Sequence, residues 1–292
     1  MCDEQTQQDV DEYHRKNGEL SRREFGKVAI AASLAAIFPP LANALDTVES
    51  SVDITTPHGI ADCYFVHPAE GEYPGILIWP DILGLRPAFQ AMGKRLAQSG
   101  YSVLVVNPFY RSAKAPVVPE GSTFGDPGIR DIVLPLARQL NEETAFADAK
   151  AFVGFLDAQA SVDTGRKIGT AGYCMGGPLI MRTAAAVPER IGAAASFHGG
   201  GLVTDKPDSP HLLIPRTSAQ VLHAIAANDD QKNPDVKHQL RQAYAAADIA
   251  AEIEVYEDTL HGWCPPDSAV YNEAQAERAW ARLLDLFDRA LV

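Results

Sequence analysis

The chain has 292 residues, 46% of them hydrophobic, and a formal net charge of -13 at pH 7. The acidic excess argues against nucleic acid or an anionic membrane surface as a partner, and the length suits one large α/β domain or two small ones. Beyond the N-terminal region no uncharged apolar run approaches the roughly 20 residues that a membrane-spanning helix needs.

Residues 1–44 predict an export signal. Paired arginines occur within residues 21–27, a modest apolar stretch follows to Phe38, and Ala42-Asn43-Ala44 fits a cleavage site. This combination is typical of a twin-arginine signal, whereas the alternative is an ordinary amphipathic N-terminal helix. We therefore expect the twin-arginine export machinery as a partner and a mature chain that begins near Leu45. That chain would be a periplasmic protein without a membrane anchor, with residues 45–292 as its single domain.

The rest of the chain alternates strand and helix patterns. A hairpin is predicted first, and continuous apolar runs then indicate strands that are covered on both faces. Strands that alternate with helices imply right-handed crossovers and a mostly parallel, doubly wound sheet of about seven or eight strands, with helices on both faces. The predicted strands are 52–55, 60–66, 75–79, 102–106, 168–171, 193–197, 219–226 and 251–256. The predicted helices are 88–99, 144–160, 234–247 and 269–291, and residues 112–141 form a long excursion.

A nucleophile elbow is predicted where the strand Ile168–Ala171 meets the turn Gly172-Tyr173-Cys174-Met175-Gly176. The nucleophile of an elbow lies on a sharp, strained turn, where side chains two residues before and after it would clash. Glycine stands at both of those positions. The sequence thus predicts Cys174 as the nucleophile, and the alternative is a buried cysteine in a glycine-rich turn.

An acid and a histidine follow the elbow in the order that doubly wound hydrolases use. Asp229 and Asp230 come after the strand 219–226, and His261 comes after the strand 251–256. We predict His261 as the base, and we prefer Asp230 as the acid because it lies four residues before Pro234, where the next helix is expected to begin.

The loop after the strand 75–79 occupies the position that supplies the second N–H of an oxyanion hole. The predicted hole therefore consists of the backbone amides of Ile82 and Met175. Asp81, next to it, either contacts the thiol or is an ordinary loop acid. His198 begins a His-Gly-Gly-Gly run, but that run follows the nucleophile, so we expect it to line the cleft.

These motifs resemble the dienelactone hydrolase family of the α/β-hydrolase superfamily, over roughly residues 52–291. The resemblance implies a triad of Cys174, Asp230 and His261. It also implies a carboxylate after the third strand, the position of Asp81 here, that helps to form the thiolate when substrate binds. The family's archetype holds a substrate carboxylate with two arginines. Arg111 stands near one of those positions, and Gly-Trp-Cys-Pro-Pro follows His261 without an arginine.

The predicted reaction is acyl transfer through a thioester, followed by hydrolysis of a small carboxylic ester or lactone. It needs no metal and no organic cofactor. The expected substrate-binding residues are Asp81, Arg111, Arg86, His198 and Trp263, with Arg111 reading a substrate carboxylate and Arg86 as a second contact. The alternatives are a thioesterase or peptidase on the same fold, a non-catalytic binding protein, or a thiol-redox protein in which Cys264 approaches Cys174.

Overall fold

A computed structural model describes residues 4–17, 38–39, 41 and 43–292. The paired arginines at residues 22 and 23 lie outside these ranges. The strands are β1 (Thr47–Thr56), β2 (Gly59–Pro68), β3 (Gly75–Trp79), β4 (Ser102–Val105), β5 (Ile168–Tyr173), β6 (Ile191–Phe197), β7 (Gln220–Ala226) and β8 (Ala251–Tyr256). The α-helices are α1 (Glu4–Asn17), α2 (Pro87–Gln98), α3 (Ile129–Ala137), α4 (Glu142–Asp157), α5 (Gly176–Ala186), α6 (Ala227–Lys232), α7 (Val236–Ala246) and α8 (Glu273–Ala290), and Pro210–Arg216 is a 3₁₀ helix.

The strands form one sheet in the order β1-β2-β4-β3-β5-β6-β7-β8. The hairpin β1-β2 is antiparallel and β2 joins β4 antiparallel, while all the pairings from β4 to β8 are parallel. The predicted α/β-hydrolase architecture, a mostly parallel doubly wound sheet, is confirmed. The strand order reverses direction at β3, and the crevice beyond the carboxyl ends of β3 and β5 is where such sheets bind ligands.

Both faces of the sheet are covered, as predicted. Along β3, Leu77 and Trp79 belong to one apolar cluster, which includes side chains of α4 and α5. Ile76 and Ile78 point to the opposite cluster, which includes side chains of α2 and α8. This alternation follows from the two-residue period of a strand, and it explains why β3 reads as an unbroken apolar run.

One short helix was not predicted, and its position matters for the site. The helix predicted over 234–247 is present as α7, which begins at Val236, but α6 precedes it and begins directly after β7. Pro234 cannot donate a backbone hydrogen bond and disfavours a helical conformation at Asn233, where φ is -139°. Asp229 and Asp230 therefore lie on α6 rather than in a loop. Across the described residues, no helix combines the length and apolar character that crossing a membrane requires.

Candidate active site

Cys174 lies on a strained turn between β5 and α5. Its φ of +53° falls in the left-handed region, which non-glycine residues rarely adopt. A Cβ atom added to Gly172 would lie 2.2 Å from the carbonyl oxygen of Gly176, and one added to Gly176 would lie 2.3 Å from that of Trp79. The two glycines are thus required by the turn and by its contact with the end of β3.

His261 joins Cys174 to an acid. Its Nε2 lies 3.0 Å from the Cys174 Sγ, and its Nδ1 lies 2.7 Å from Asp229 Oδ2. The backbone N–H of His261 donates to Asn228 Oδ1 at 2.9 Å. The imidazole is buried, and these contacts fix its position. The arrangement is that of a nucleophile, a base and a residue that orients the base.

The carboxylate that contacts His261 is that of Asp229, and not that of Asp230 as predicted. Asp230 Oδ2 accepts a hydrogen bond from Lys237 Nζ at 2.5 Å instead. Successive residues of a helix point about 100° apart, so once α6 begins at Ala227 only one of the two neighbouring acids can face His261. The preference for Asp230 assumed that the helix began later, at Pro234.

The charges around His261 favour its protonated form. Burial alone would lower the pKa of His261, but the negative charges of Cys174 and Asp229, and the hydrogen bonds to both, outweigh burial and raise it above the ordinary value of 6.5. An imidazolium beside Cys174 in turn favours the thiolate, which is the nucleophilic form of cysteine. The pair is thus arranged to exist as thiolate and imidazolium.

The two residues of the predicted oxyanion hole are near Cys174 in different ways. Ile82, in the loop after β3, lines the same pocket as Cys174, and Met175 is the N-cap of α5. Within the part of the chain that the structure describes, no protein acceptor takes the backbone N–H of either residue. Unpaired N–H groups at a helix start favour a developing negative charge.

Asp81 and Arg86 form an ion cluster with Asp267, a residue that the sequence analysis missed. Arg86 Nη1 lies 2.7 Å from Asp81 Oδ1, and Arg86 Nε lies 2.6 Å from Asp267 Oδ2. Asp81 also accepts the backbone N–H of Leu83 at 2.9 Å. Asp267 follows His261 by six residues and belongs to no motif, so no signal in the sequence marked it.

Arg111 does not reach the pocket, contrary to the prediction. Its Nη2 and Nη1 atoms donate to the two carboxylate oxygens of Asp148 at 2.7 and 2.9 Å, and Asp148 is fully buried in α4. Tyr110 donates its hydroxyl to the same carboxylate at 2.6 Å. The side chain of Arg111 thus neutralises an internal acid.

Trp263 does not line the pocket either. Its side chain is fully buried and stacks on Tyr256, with the ring centroids 5.3 Å apart. It packs edge-on against His198 at 5.2 Å. Trp263 therefore supports His198, which does line the pocket as predicted, from behind.

The pocket is open, has a volume of about 130 Å³ and contains the Cys174 and His261 side chains. One wall is apolar, and α1 supplies part of another wall through Thr6 and Val10. The described lining residues are Thr6, Val10, Asp81, Ile82, Leu83, Arg86, Ser122, Thr123, Phe124, Cys174, His198, His261, Gly262, Asp267, Ser268, Ala269 and Val270.

The other described cysteines are poorly suited to thiol chemistry. Burial raises the pKa of the Cys63 thiol to about 12 and that of Cys264 well above its ordinary value. Neither residue is among those that line the pocket with Cys174, and no disulfide joins any two of these three. The thiol-redox alternative thus lacks a second reactive thiol among the described residues.

Comparisons with known proteins agree with the fold and show the family. Residues 61–291 match the model of the dienelactone hydrolase family. A carboxymethylenebutenolidase from Rhodococcus opacus is 28% identical over 221 residues, which cover 74% of this chain and 81% of that protein. The structure of a dienelactone hydrolase from Anabaena variabilis superposes with a TM-score of 0.60 at 15% identity, over 84% of this chain and 99% of the other. An acylaminoacyl peptidase from Pyrococcus horikoshii superposes with a TM-score of 0.60 at 18% identity, over 88% of this chain but only 43% of the peptidase. At these identities the two structural likenesses show the fold alone.

Proposed function

The chain belongs to the dienelactone hydrolase family, and we propose that it hydrolyses carboxylic esters or lactones with Cys174 as its nucleophile. The observation that carries the proposal is the hydrogen-bonded series from Cys174 Sγ through His261 to Asp229, with distances of 3.0 and 2.7 Å. A cysteine that only fills space in a glycine-rich turn needs neither a positive φ nor a histidine oriented by a carboxylate. That alternative therefore leaves both features of Cys174 unexplained.

In the proposed mechanism the Cys174 thiolate attacks the carbonyl carbon of the substrate and forms a carbon–sulfur bond. The carbonyl electron pair moves to the oxygen, and the backbone N–H groups of Ile82 and Met175 stabilise the resulting oxyanion. When the oxyanion collapses, the alkoxide leaves with the proton of the His261 imidazolium. His261, now neutral, takes a proton from water, and the hydroxide adds to the thioester carbonyl. Collapse of the second tetrahedral intermediate releases the carboxylic acid and restores the thiolate and the imidazolium.

Asp229 has an orienting role in this proposal. Its hydrogen bond to Nδ1 keeps Nε2 directed at Cys174, and its charge stabilises the imidazolium. Asp81 lies close enough to Cys174 for the thiolate's charge to raise the pKa of Asp81, after the larger effect of burial. Because Arg86 holds the Asp81 carboxylate, Asp81 would act on the thiol through charge rather than through a direct hydrogen bond.

A panel of p-nitrophenyl esters, lactones and thioesters against the wild type and Cys174→Ala tests the function. We expect ester or lactone hydrolysis that falls at least about 10³-fold in the variant. Turnover of thioesters or peptides alone would favour the alternatives on the same fold. Equal activity in the wild type and the variant would remove Cys174 from the mechanism.

We also propose that the protein is exported by the twin-arginine machinery and works in the periplasm. The support is the sequence of residues 21–44, since the described residues do not include the arginine pair. N-terminal sequencing of protein recovered from a native-like host should give a start close to Leu45. An intact N-terminus in the cytoplasmic fraction would contradict export.

A further inference from the structure

Arg86 is the strongest candidate for binding a substrate anion, but its N–H groups all donate to acceptors within the protein. A guanidinium carries five N–H groups. In Arg86, Nε donates to Asp267, Nη1 donates to Asp81 and to the Gly84 carbonyl, and Nη2 donates to Asp81 and Asp267, at distances of 2.6 to 3.3 Å. Arg111, the other candidate, is bound to Asp148 outside the pocket. A substrate carboxylate could reach Arg86 only by displacing an internal acid.

The ion cluster carries no positive charge that a substrate anion could use. With both acids ionised, Asp81, Arg86 and Asp267 sum to -1. Burial raises the pKa of Asp81, although Arg86 opposes this, and a protonated Asp81 would bring the sum to zero. In either state an anion that enters the pocket faces Asp267 with its own hydration partly removed, and like charges in that position disfavour binding.

His198, which lines the pocket, also offers no positive charge to a substrate anion. Neither ring nitrogen of His198 has a partner within the described chain, and the ring is almost wholly buried. Burial, together with the charge of His261, lowers the pKa of His198 well below 6.5, so its imidazole is uncharged near neutral pH. His198 therefore gives the pocket no charge with which to bind a carboxylate.

The remaining wall is apolar, with Ile82, Leu83, Phe124 and Val270 facing the cavity. Arg130 stacks over the Phe124 ring at 4.9 Å but is not itself a lining residue. The volume of about 130 Å³ is close to the roughly 150 Å³ cavity that takes a benzene molecule. With α1 in place, the pocket therefore has room for a small apolar acyl group.

We propose that the pocket selects esters or lactones whose acyl group is uncharged, and discriminates against those that carry a carboxylate. This selectivity follows from the internal pairing of Arg86 with Asp81 and Asp267, and it rests on the proposed hydrolase function. It reverses the expectation from the sequence, in which Arg111 and Arg86 read a substrate carboxylate.

Two esters with one leaving group test the selectivity: p-nitrophenyl butyrate, which is neutral, and mono-p-nitrophenyl succinate, which adds a carboxylate. We expect wild-type kcat/KM to favour the butyrate by at least about tenfold. Asp267→Asn removes one negative charge and weakens the hold on Arg86, so it should raise kcat/KM for the succinate relative to the butyrate by about fivefold or more. Asp285→Asn is the matched control, because Arg282 likewise binds two acids, Glu252 on β8 and Asp285 on α8, away from the pocket. This variant should keep the wild-type ratio.

Equal or better hydrolysis of the succinate ester by the wild type would overturn the proposal, and so would an unchanged ratio in a folded Asp267→Asn variant. The charge preference can also be measured without a variant and without substrate hydrolysis, by protection of Cys174 from alkylation. Butyramide should protect Cys174 from iodoacetamide at lower concentration than butyrate does, and the reverse order would overturn the proposal. If Cys174→Ala hydrolyses esters as fast as the wild type, the proposed function fails, whereas the protection experiment still decides the charge preference.

An independent observation concerns α1, which lies against the same pocket. Thr6 is buried there, and both Thr6 and Val10 line the cavity. Asp9 Oδ2 accepts a hydrogen bond from Asn228 Nδ2 at 2.8 Å and pairs with Lys232 Nζ at 3.0 Å. Both partners belong to α6, the helix that carries Asp229, so α1 is attached to the element that orients His261.

We infer that α1 restricts access to Cys174 while the N-terminal segment is present. Removal of residues 1–44 would remove α1 as well, so cleavage of the export signal would also open the pocket.

Asp9→Lys in the full chain places a second positive charge against Lys232, and it should increase both kcat/KM and the rate of Cys174 alkylation by about threefold. Asp46→Lys, at an exposed position beyond α1, is the control and should change neither. Val10→Trp should act in the opposite direction by filling the pocket. Wild-type rates in both folded variants would overturn the inference.

Discussion

The two sides of the pocket are built in different ways. On one side, Cys174, Asp229 and His261 follow β5, β7 and β8, so the parallel sheet brings them to one edge in a fixed order. On the other side, Arg86 meets Asp267 across 181 residues of sequence, and no strand order requires that meeting. The nucleophile side is therefore set by topology, whereas the charge of the recognition side is set by which loops happen to form ion pairs.

The largest expected effect is the loss of activity on substitution of the acid that follows β7. Asp229→Asn should lower kcat by about 10²- to 10⁴-fold, because an amide neither stabilises the imidazolium nor holds the correct tautomer of His261. Asp230→Asn changes a neighbouring residue that binds Lys237, and it should stay within about twofold of the wild type. Steady-state kinetics on p-nitrophenyl butyrate separate the two. The opposite ranking would restore Asp230 as the acid.

The contrast also explains what the sequence could predict. The elbow, the histidine and the position of the acid within one residue followed from strand ends and glycine spacing. The choice between Asp229 and Asp230 did not, because it depends on where α6 begins. The ion pairs of Arg111 and Arg86 could not be predicted, because their partners, Asp148 and Asp267, lie on a helix and a loop that no motif links to them.

The second prediction sharpens the account of Arg111. Arg111→Ala should leave the buried Asp148 charge without its main partner, which costs about 3 to 5 kcal/mol of unfolding free energy. Activity on the neutral and the carboxylate-bearing ester should fall by the same factor, if at all. Chemical denaturation gives the first quantity, and the two esters used above give the second.

Arg216→Ala is the matched control for Arg111→Ala. Arg216 pairs with Glu142 at 3.8 Å, and both side chains are substantially exposed, so its loss should cost no more than about 1 kcal/mol. If Arg111→Ala kept wild-type stability and lost activity only on the carboxylate-bearing ester, Arg111 would read substrate charge after all.

A third prediction compares Cys174 with the buried thiols elsewhere. Iodoacetamide should label Cys174 at least about tenfold faster than Cys63 or Cys264, because a thiolate reacts and burial raises the pKa of both other thiols. Mass spectrometry of peptides over time gives the three rates, and activity should fall in step with labelling of Cys174. If Cys264 were labelled faster and activity fell in step with its labelling, Cys264 and not Cys174 would be the nucleophile.

The smallest expected effect is that of pH on kcat/KM. A nearly flat profile would indicate that Cys174 and His261 form a thiolate–imidazolium pair rather than a neutral thiol–imidazole pair. The charges of Cys174 and Asp229 outweigh burial and raise the pKa of His261 above 6.5, so the imidazolium is present below that raised pKa and is lost as pH rises through it. Since kcat/KM reports the free enzyme, it should vary by less than about twofold between pH 6.5 and 8, with the loss on the alkaline side. Asp229→Asn should move that alkaline limb to lower pH, because it removes one of the charges that favour the imidazolium, whereas Asp230→Asn should leave it in place. A profile that rises with a midpoint near 6.5 would instead mean that a neutral His261 acts as a general base on a protonated thiol.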